Sequence, residues 1–300
     1  MRSGRDSGRY LTEGESRNNM LTVLAPAKIN LTLEVLGKRP DGYHEIRSIM
    51  QVINLFDSLK FQLNDDISFH SDIPGWIPEK SLVYMAARLL KETTGCSKGA
   101  DIEVEKRIPL VSGLGGDSSD ASATLRGLNE LWELNLPPQK ILELAVQLGS
   151  DVSFFLYGGT ALVVGRGEVV TPLSPLSPMW VVLVVPDVPR LPDKTKQLYA
   201  SFKTAHYTDG RIMQKVVEDI KKGKEPSILI NSFENVAFTK YSGLKAYHDH
   251  FLKMGTENVY LAGSGPALFT LLKDKTKAEN LYERCKNQGM EVYLVGTEIR

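Results

Sequence analysis

The feature that most restricts the fold is a short stretch at residues 109–119, Pro-Leu-Val-Ser-Gly-Leu-Gly-Gly-Asp-Ser-Ser. Upstream of it, Ile102, Val104, Lys106 and Ile108 recur with period two, so residues 101–108 are predicted as a strand. Downstream, residues 118–132 carry Leu125, Leu128 and Leu131 or Trp132 at helical spacing and are predicted as a helix. A strand that feeds a helix through Gly113, Gly115 and Gly116 must turn sharply, with positive φ angles and little side-chain bulk. Backbone N–H groups and the positive end of the helix dipole then converge on one point, which suits a phosphate. Ser118 and Ser119 are placed to cap the helix or to offer hydroxyls to phosphate or magnesium. A capped tight turn, with the glycines serving geometry alone, is the plainer account of the same residues. The run is neither a Walker A loop, G-x-x-x-x-G-K-[ST], nor the G-x-G-x-x-G of dinucleotide-binding folds.

The flanking sequence mixes strands and helices without strict alternation, which indicates α+β rather than a doubly wound sheet. In residues 22–38, Ile29, Leu31, Leu33 and Val35 alternate with Asn30, Thr32 and Glu34, the pattern of a half-buried strand with Lys28 on its polar face. Arg39-Pro40-Asp41-Gly42 is a turn into a second strand over 46–56. Helices are predicted over 81–94, closed by Gly95, and 138–148, closed by Gly149, and a strand within 154–164. Beyond a Pro-rich linker at 171–178 come a strand at 180–185 and helices at 194–202, 209–222 and 240–254. Strands at 258–262 and 267–272 flank Gly263-Ser264-Gly265-Pro266, and a helix at 276–288 and a strand at 291–296 follow. With 300 residues there is room for two domains, and the linker divides them into 21–170 and 171–300.

Lys plus Arg equals Asp plus Glu at 36 each, so no excess positive charge recommends a nucleic acid or an anionic membrane as partner. No apolar run reaches the roughly 18–20 residues of a membrane span. Cys96 and Cys285 match no metal or redox spacing and fit a reducing, cytoplasmic setting. Residues 1–20 lack the apolar core of a secretory signal and are expected to be a disordered lead-in, with Met20 an alternative start.

Several polar residues have both a chemical and a bland reading. Lys28 is a surface lysine or a catalytic cation, and Asp151, after Gly149-Ser150, is a helix N-cap or a catalytic carboxylate. Asp41, Asp117 and Asp120 fit turns and caps. Lys106 holds an apolar-face position just before the glycine loop, where it either serves a nucleotide or snorkels to solvent. Tyr43-His44 could hold a flat heterocycle by stacking and hydrogen bonding, or be a strand tyrosine and an exposed histidine. His248 and His250 lie two apart on a predicted helix and do not share a face, which argues against a metal site. Gly263-Ser264-Gly265-Pro266 is either a second phosphate-contacting turn or a hairpin.

Three blocks in order, Pro26-Ala27-Lys28-Ile29-Asn30-Leu31, residues 109–121 and Ala262-Gly263-Ser264-Gly265-Pro266-Ala267, resemble the GHMP kinases. The resemblance runs from about residue 21 to the end of the chain. It implies a two-domain fold, with an N-terminal domain like domain 2 of ribosomal protein S5 and a ferredoxin-like C-terminal domain. It also implies transfer of the ATP γ-phosphate, with Mg2+, to an alcohol. The segments at 37–44 and 148–155 resemble the branch whose alcohol carries a cytidine diphosphate. By this resemblance Lys28 and Asp151 are the catalytic pair. The ATP site is Lys106 with Pro109, Leu110, Val111, Ser112, Gly113, Leu114, Gly115, Gly116, Asp117, Ser118 and Ser119. Asn30, Tyr43, His44, Gly263, Ser264 and Gly265 would contact the acceptor. The stretch 186–192 lacks the aromatic expected to cover the second face of a cytosine. An RNA-binding protein on an S5-like fold is the rival outside enzymology, and it predicts a basic stripe with interleaved aromatics that this chain does not show.

Overall fold

The computed structural model describes residues 20–224, 226 and 228–297, so the expected disordered lead-in at 1–20 falls almost wholly outside the described residues. Packing separates the chain into two interleaved units. One holds residues 20–27, Leu55–Ile108 and Gly115–Gly158, and the other holds Lys28–Asn54, Pro109–Leu114 and 159–297. The first two strands, β1 (Met20–Lys38) and β2 (His44–Asn64), contribute residues to both.

In the first unit, the distal half of β2 pairs antiparallel with β4 (Gly99–Glu105), from Ser58 opposite Glu105 to Asn64 opposite Gly99. The short β3 (Ile67–Ser71), which sequence periodicity did not reveal, runs parallel to β4. Helices α1 (Leu82–Thr94), α2 (Gly116–Leu131), α3 (Pro138–Leu148) and α4 (Ser150–Tyr157) share one core with this sheet, built on Leu59, Phe61, Leu90, Ile102, Leu125 and Leu144. The ends of α1 follow local rules: the Ser81 side chain accepts from Tyr84 N–H, and Gly95 closes the helix at φ +66°. Gly127 lets α2 approach the sheet, because a Cβ there would lie 2.6 Å from the Phe61 ring.

In the second unit, the proximal half of β2 pairs antiparallel with β5 (Thr160–Gly165), which pairs with β6 (Val169–Pro172). Residues 173–179, most of the expected linker, carry no regular element. They lead from β6 to β7 (Trp180–Val185), which belongs to a separate four-stranded sheet. That sheet has the order β10-β7-β9-β8, with β8 (Tyr260–Leu261), β9 (Leu268–Leu272) and β10 (Glu291–Gly296). Helices α5 (Lys194–Ala200), α6 (Arg211–Lys221), α7 (Glu234–Lys240) and α8 (Leu244–Lys253) lie between β7 and β8 in the chain, and α9 (Lys275–Asn287) lies between β9 and β10. This β-α-β-β-α-β succession is the ferredoxin-like arrangement. Its core includes Val182, Val184, Phe233, Tyr241, Phe251 and Leu268.

Three expectations are corrected. The polar face of β1 is not exposed: Lys28, Asn30, Thr32 and Glu34 are at most 4% accessible. The predicted helix at 240–254 starts later, as α8 at Leu244 after Gly243 adopts φ +86°, and α7 at Glu234–Lys240 lies ahead of it, unpredicted. Residues 150–157, passed over as loop or strand, form α4.

Candidate active site

The glycine loop is shaped by close backbone approach. Gly113 has φ +95°, and a Cβ on it would sit 2.0 Å from the Ala262 carbonyl oxygen, so only glycine fits there. Ala267 N–H donates to Ser112 O at 3.1 Å, and Lys28 N–H donates to Leu114 O at 2.9 Å. These bonds seat the first half of the loop on the 262–267 turn and on the β1 backbone. That turn is a hairpin closed by Ala262 N–H to Ala267 O, and Asn231 Nδ2 holds it through Leu261 O and Gly263 O at 2.8 and 2.7 Å. In the second half, Gly115 at φ +77° is the residue that opens α2, and Ser119 N–H donates to its carbonyl. The expected capping role of Ser118 and Ser119 is therefore wrong, because both lie within the first turn. With glycine at the N-cap, no side chain caps the first N–H groups of α2, which leaves them suited to an anion. Leu110 and Val111 remain 43% and 47% exposed at the lip of the loop.

Lys106 does not snorkel. Its side chain is 7% exposed, and its ammonium lies 2.6 Å from both Asp57 and Asp120 and 3.5 Å from Asp117. Asp57 also accepts Arg107 N–H and Ile108 N–H at 2.6 and 2.7 Å, which pins the strand end just before the loop. The same ammonium would be 3.2 Å from a Cβ on Gly116, so it lies beside the start of α2. Burial alone would lower the Lys106 pKa, but Asp120, Asp57 and Asp117 carry it well above the ordinary lysine value. Burial pushes the Asp120 carboxyl well up, against the pull of Lys106. Lys106 stays charged, and Asp120 is the weak acid of the cluster.

On β1, Lys28 Nζ donates to Asn30 Oδ1 at 2.8 Å, and Asn30 Nδ2 donates to Ser48 Oγ at 2.7 Å. Residues two apart on a strand share a face, which is why the pair meets. A Cβ on Gly263 would lie 2.8 Å from Gly113 O and 3.0 Å from Lys28 Nζ, so the hairpin, the loop and the lysine converge within this unit. Asp151 belongs to the other unit. It lies in the first turn of α4, and Gly149 opens that helix, so the N-cap account of Asp151 is also corrected.

Tyr43 is 56% exposed, with the Arg166 guanidinium 4.7 Å from its ring centroid. His44 is not the exposed histidine of the bland reading. It stacks on Tyr199 at 4.7 Å and 16°, near Phe202 and Tyr207, and its pKa is lowered first by burial and then by Lys38. Among the described residues there is no cluster of three or more His, Cys, Asp or Glu able to hold a metal.

Comparison with known proteins is decisive. Residues 81–159 match the GHMP kinases N terminal domain, and residues 216–290 match the GHMP kinases C terminal region. The chain belongs to the GHMP kinase family. A relative from Dehalococcoides mccartyi named 4-diphosphocytidyl-2-C-methyl-D-erythritol kinase is 50% identical over 279 residues, 93% of this GHMP kinase and 98% of the relative. A Bacillus cereus relative of the same name is 39% identical over 283 residues, 92% and 96% of the two chains. A crystal structure of 4-(cytidine 5'-diphospho)-2C-methyl-D-erythritol kinase matches with TM-score 0.78 and 33% identity, covering 92% and 98%. Homoserine kinase from Cytophaga hutchinsonii matches with TM-score 0.67 at 20% identity, covering 96% and 97%, a likeness of fold.

Some neighbours of the candidate residues in this GHMP kinase escaped the sequence. Asp57, one residue past the strand predicted over 46–56, had no reading of its own, and nothing in the sequence shows that it meets Lys106 some 50 residues later. Tyr199, Phe202 and Tyr207, which surround the His44 ring, were likewise not singled out. A spacing of aromatics on and just after the predicted helix at 194–202 was the available signal. No helix among the described residues is long and apolar enough to cross a membrane.

Proposed function

We propose that this kinase transfers the ATP γ-phosphate to the 2-hydroxyl of 4-diphosphocytidyl-2-C-methyl-D-erythritol, in the non-mevalonate route to isoprenoid precursors. The observation that carries the reading is the identity of 50% and 39%, over more than nine-tenths of the chain, with kinases named for that compound. The Asp41-Gly42-Tyr43-His44 turn, which opens onto an aromatic cluster, supports a cytidine-bearing acceptor.

In this account Asp151 takes the proton of the acceptor hydroxyl. The hydroxyl oxygen forms its bond to the γ-phosphorus, the bond to the bridging oxygen breaks, and ADP leaves. Lys28, oriented by Asn30, stabilises charge on the transferring group, since phosphoryl transfer depends on positioning and electrostatics. The loop at 109–119, with Lys106, holds the triphosphate. Magnesium bound with ATP would neutralise phosphate charge. The hydroxyls of Ser118 and Ser119 are the hard oxygen donors that would hold it, and Ser119 Oγ is buried without a partner at the start of α2. Tyr43 offers the face of its ring that Arg166 does not cover, and His44 reads the base edge. Gly263, Ser264 and Gly265 contact the acceptor arm, with Asn30 beside them. A cytoplasmic setting and the domain limits 21–170 and 171–300 belong to the same proposal.

ADP release, followed with a panel of alcohols, tests it. The cytidine substrate is expected to give a kcat/KM at least about 10³ above homoserine or mevalonate, the scale of discrimination by buried polar groups. Comparable turnover of either competitor would make a sibling activity the better account.

A further inference from the structure

Lys194 opens α5, and its half-buried side chain reaches two loops that lie far apart in the chain. Its Nζ donates to Val111 O at 2.8 Å and to Gly265 O at 2.5 Å. The first acceptor belongs to the rising half of the glycine loop, and the second to the 262–267 hairpin. The next residue, Thr195, pairs its hydroxyl with Ser264 Oγ at 3.1 Å, and Tyr241 OH donates to Ser264 O at 3.2 Å. The hairpin is therefore fastened on the side of α5 as well as on the side of Asn231.

We propose that Lys194 is a positioning residue for phosphoryl transfer, bridging the glycine loop and the 262–267 hairpin and fixing the loop in its nucleotide-binding shape. Val111 sits at φ +55°, an unfavoured angle for a β-branched residue. Its carbonyl direction therefore needs an outside partner to hold it, and Lys194 is that partner. A charged donor gives a stronger hydrogen bond than a neutral one. The bridge also brings one positive charge to the loop that receives an anion, which adds to its field. In sequence Lys194 is an ordinary helix lysine, 83 residues from Val111 and 71 from Gly265.

The proposal rests on the kinase reading, so the test has one arm that does not. Hydrogen exchange of the nucleotide-free protein is compared between wild type, Lys194→Met and Lys194→Arg. The methionine variant is expected to speed exchange in residues 109–114 and 262–267, with an unchanged rate in α1. Steady-state kinetics form the second arm. Lys194→Met is expected to raise the KM for ATP about tenfold and lower kcat about tenfold, the scale of a lost charged hydrogen bond. The acceptor KM should stay within about threefold. Lys194→Arg keeps the charge and several donors and is expected to recover most of both losses. Unchanged exchange in both loops overturns the bridge, whatever the enzyme acts on. Faster exchange with kcat and KM for ATP within twofold of wild type overturns the catalytic role alone. If wild type releases no ADP, the kinase reading fails, while the exchange result still decides the bridge. Should Lys194→Met not fold, Lys194→Gln is subject to the same two measurements.

Discussion

Lys28 and Asn30 are bonded to each other along one face of β1, with Nζ 2.8 Å from Oδ1, and both are almost completely buried. At its other end Asn30 donates to Ser48, whose hydroxyl donates to Thr32 O, so both ends of the amide are engaged inside the protein. Asn30 therefore orients the lysine ammonium. Asn30→Ala is expected to lower kcat by about 10- to 100-fold while the acceptor KM changes little, the signature of an interaction needed in the transition state. A rise in KM at constant kcat would instead make Asn30 a simple substrate contact.

Gly113 tests the loop geometry. Both its φ of +95° and the 2.0 Å approach to Ala262 O oppose a side chain. Gly113→Ala is expected to cost more than about 2 kcal/mol in urea denaturation. Gly37→Ala is the control, since nothing lies within 4 Å of a Cβ there. It should be neutral or stabilising by up to about 1 kcal/mol. Equal effects at the two positions would refute the close approach.

The carboxylates around Lys106 make it a structural necessity, whatever its part in the proposed ATP site. Lys106→Met leaves Asp57 and Asp120 buried and facing each other without their cation. A loss of about 3–5 kcal/mol is expected near pH 7, as for a broken buried ion pair. The loss should shrink as acid protonates Asp120, whose pKa burial already raises. A penalty independent of pH would mean that lost packing, not charge, is the cause.

His44 gives a second pH dependence. Its folded pKa lies below the ordinary 6.5, so its neutral form is favoured in the native state. Whatever it contributes is complete above about pH 6.5 and is lost as pH falls through the lower folded value. The acceptor KM should therefore be flat from pH 7 to 8.5 and climb in mild acid, and His44→Gln should remove that climb. A climb that persists in the variant assigns the titration to another group.

The elements that the sequence revealed are those with local causes. Alternation in β1, the Gly95 that closes α1 and the glycine run before α2 each depend on neighbours within a few residues. The polar face of β1 was misread because period two marks two faces without saying that both are covered. The short apolar run of α4 is equally compatible with strand or helix, and only Gly149 separates it from α3. Asp57 lies 49 residues from Lys106, Tyr207 lies 163 from His44 and Val111 lies 83 from Lys194, so no spacing rule reaches these partners. Chemistry-bearing residues were thus visible as types, while the contacts that position them were not.

The central claim is that the chain phosphorylates a cytidine-tagged alcohol at one hydroxyl. Phosphorus NMR of the product formed from ATP and 4-diphosphocytidyl-2-C-methyl-D-erythritol tests it most directly. The account predicts one new phosphomonoester signal, coupled to the methyl-bearing carbon, in equal amount to the ADP released. Release of ADP with inorganic phosphate alone, or a monoester on a different carbon, would contradict it.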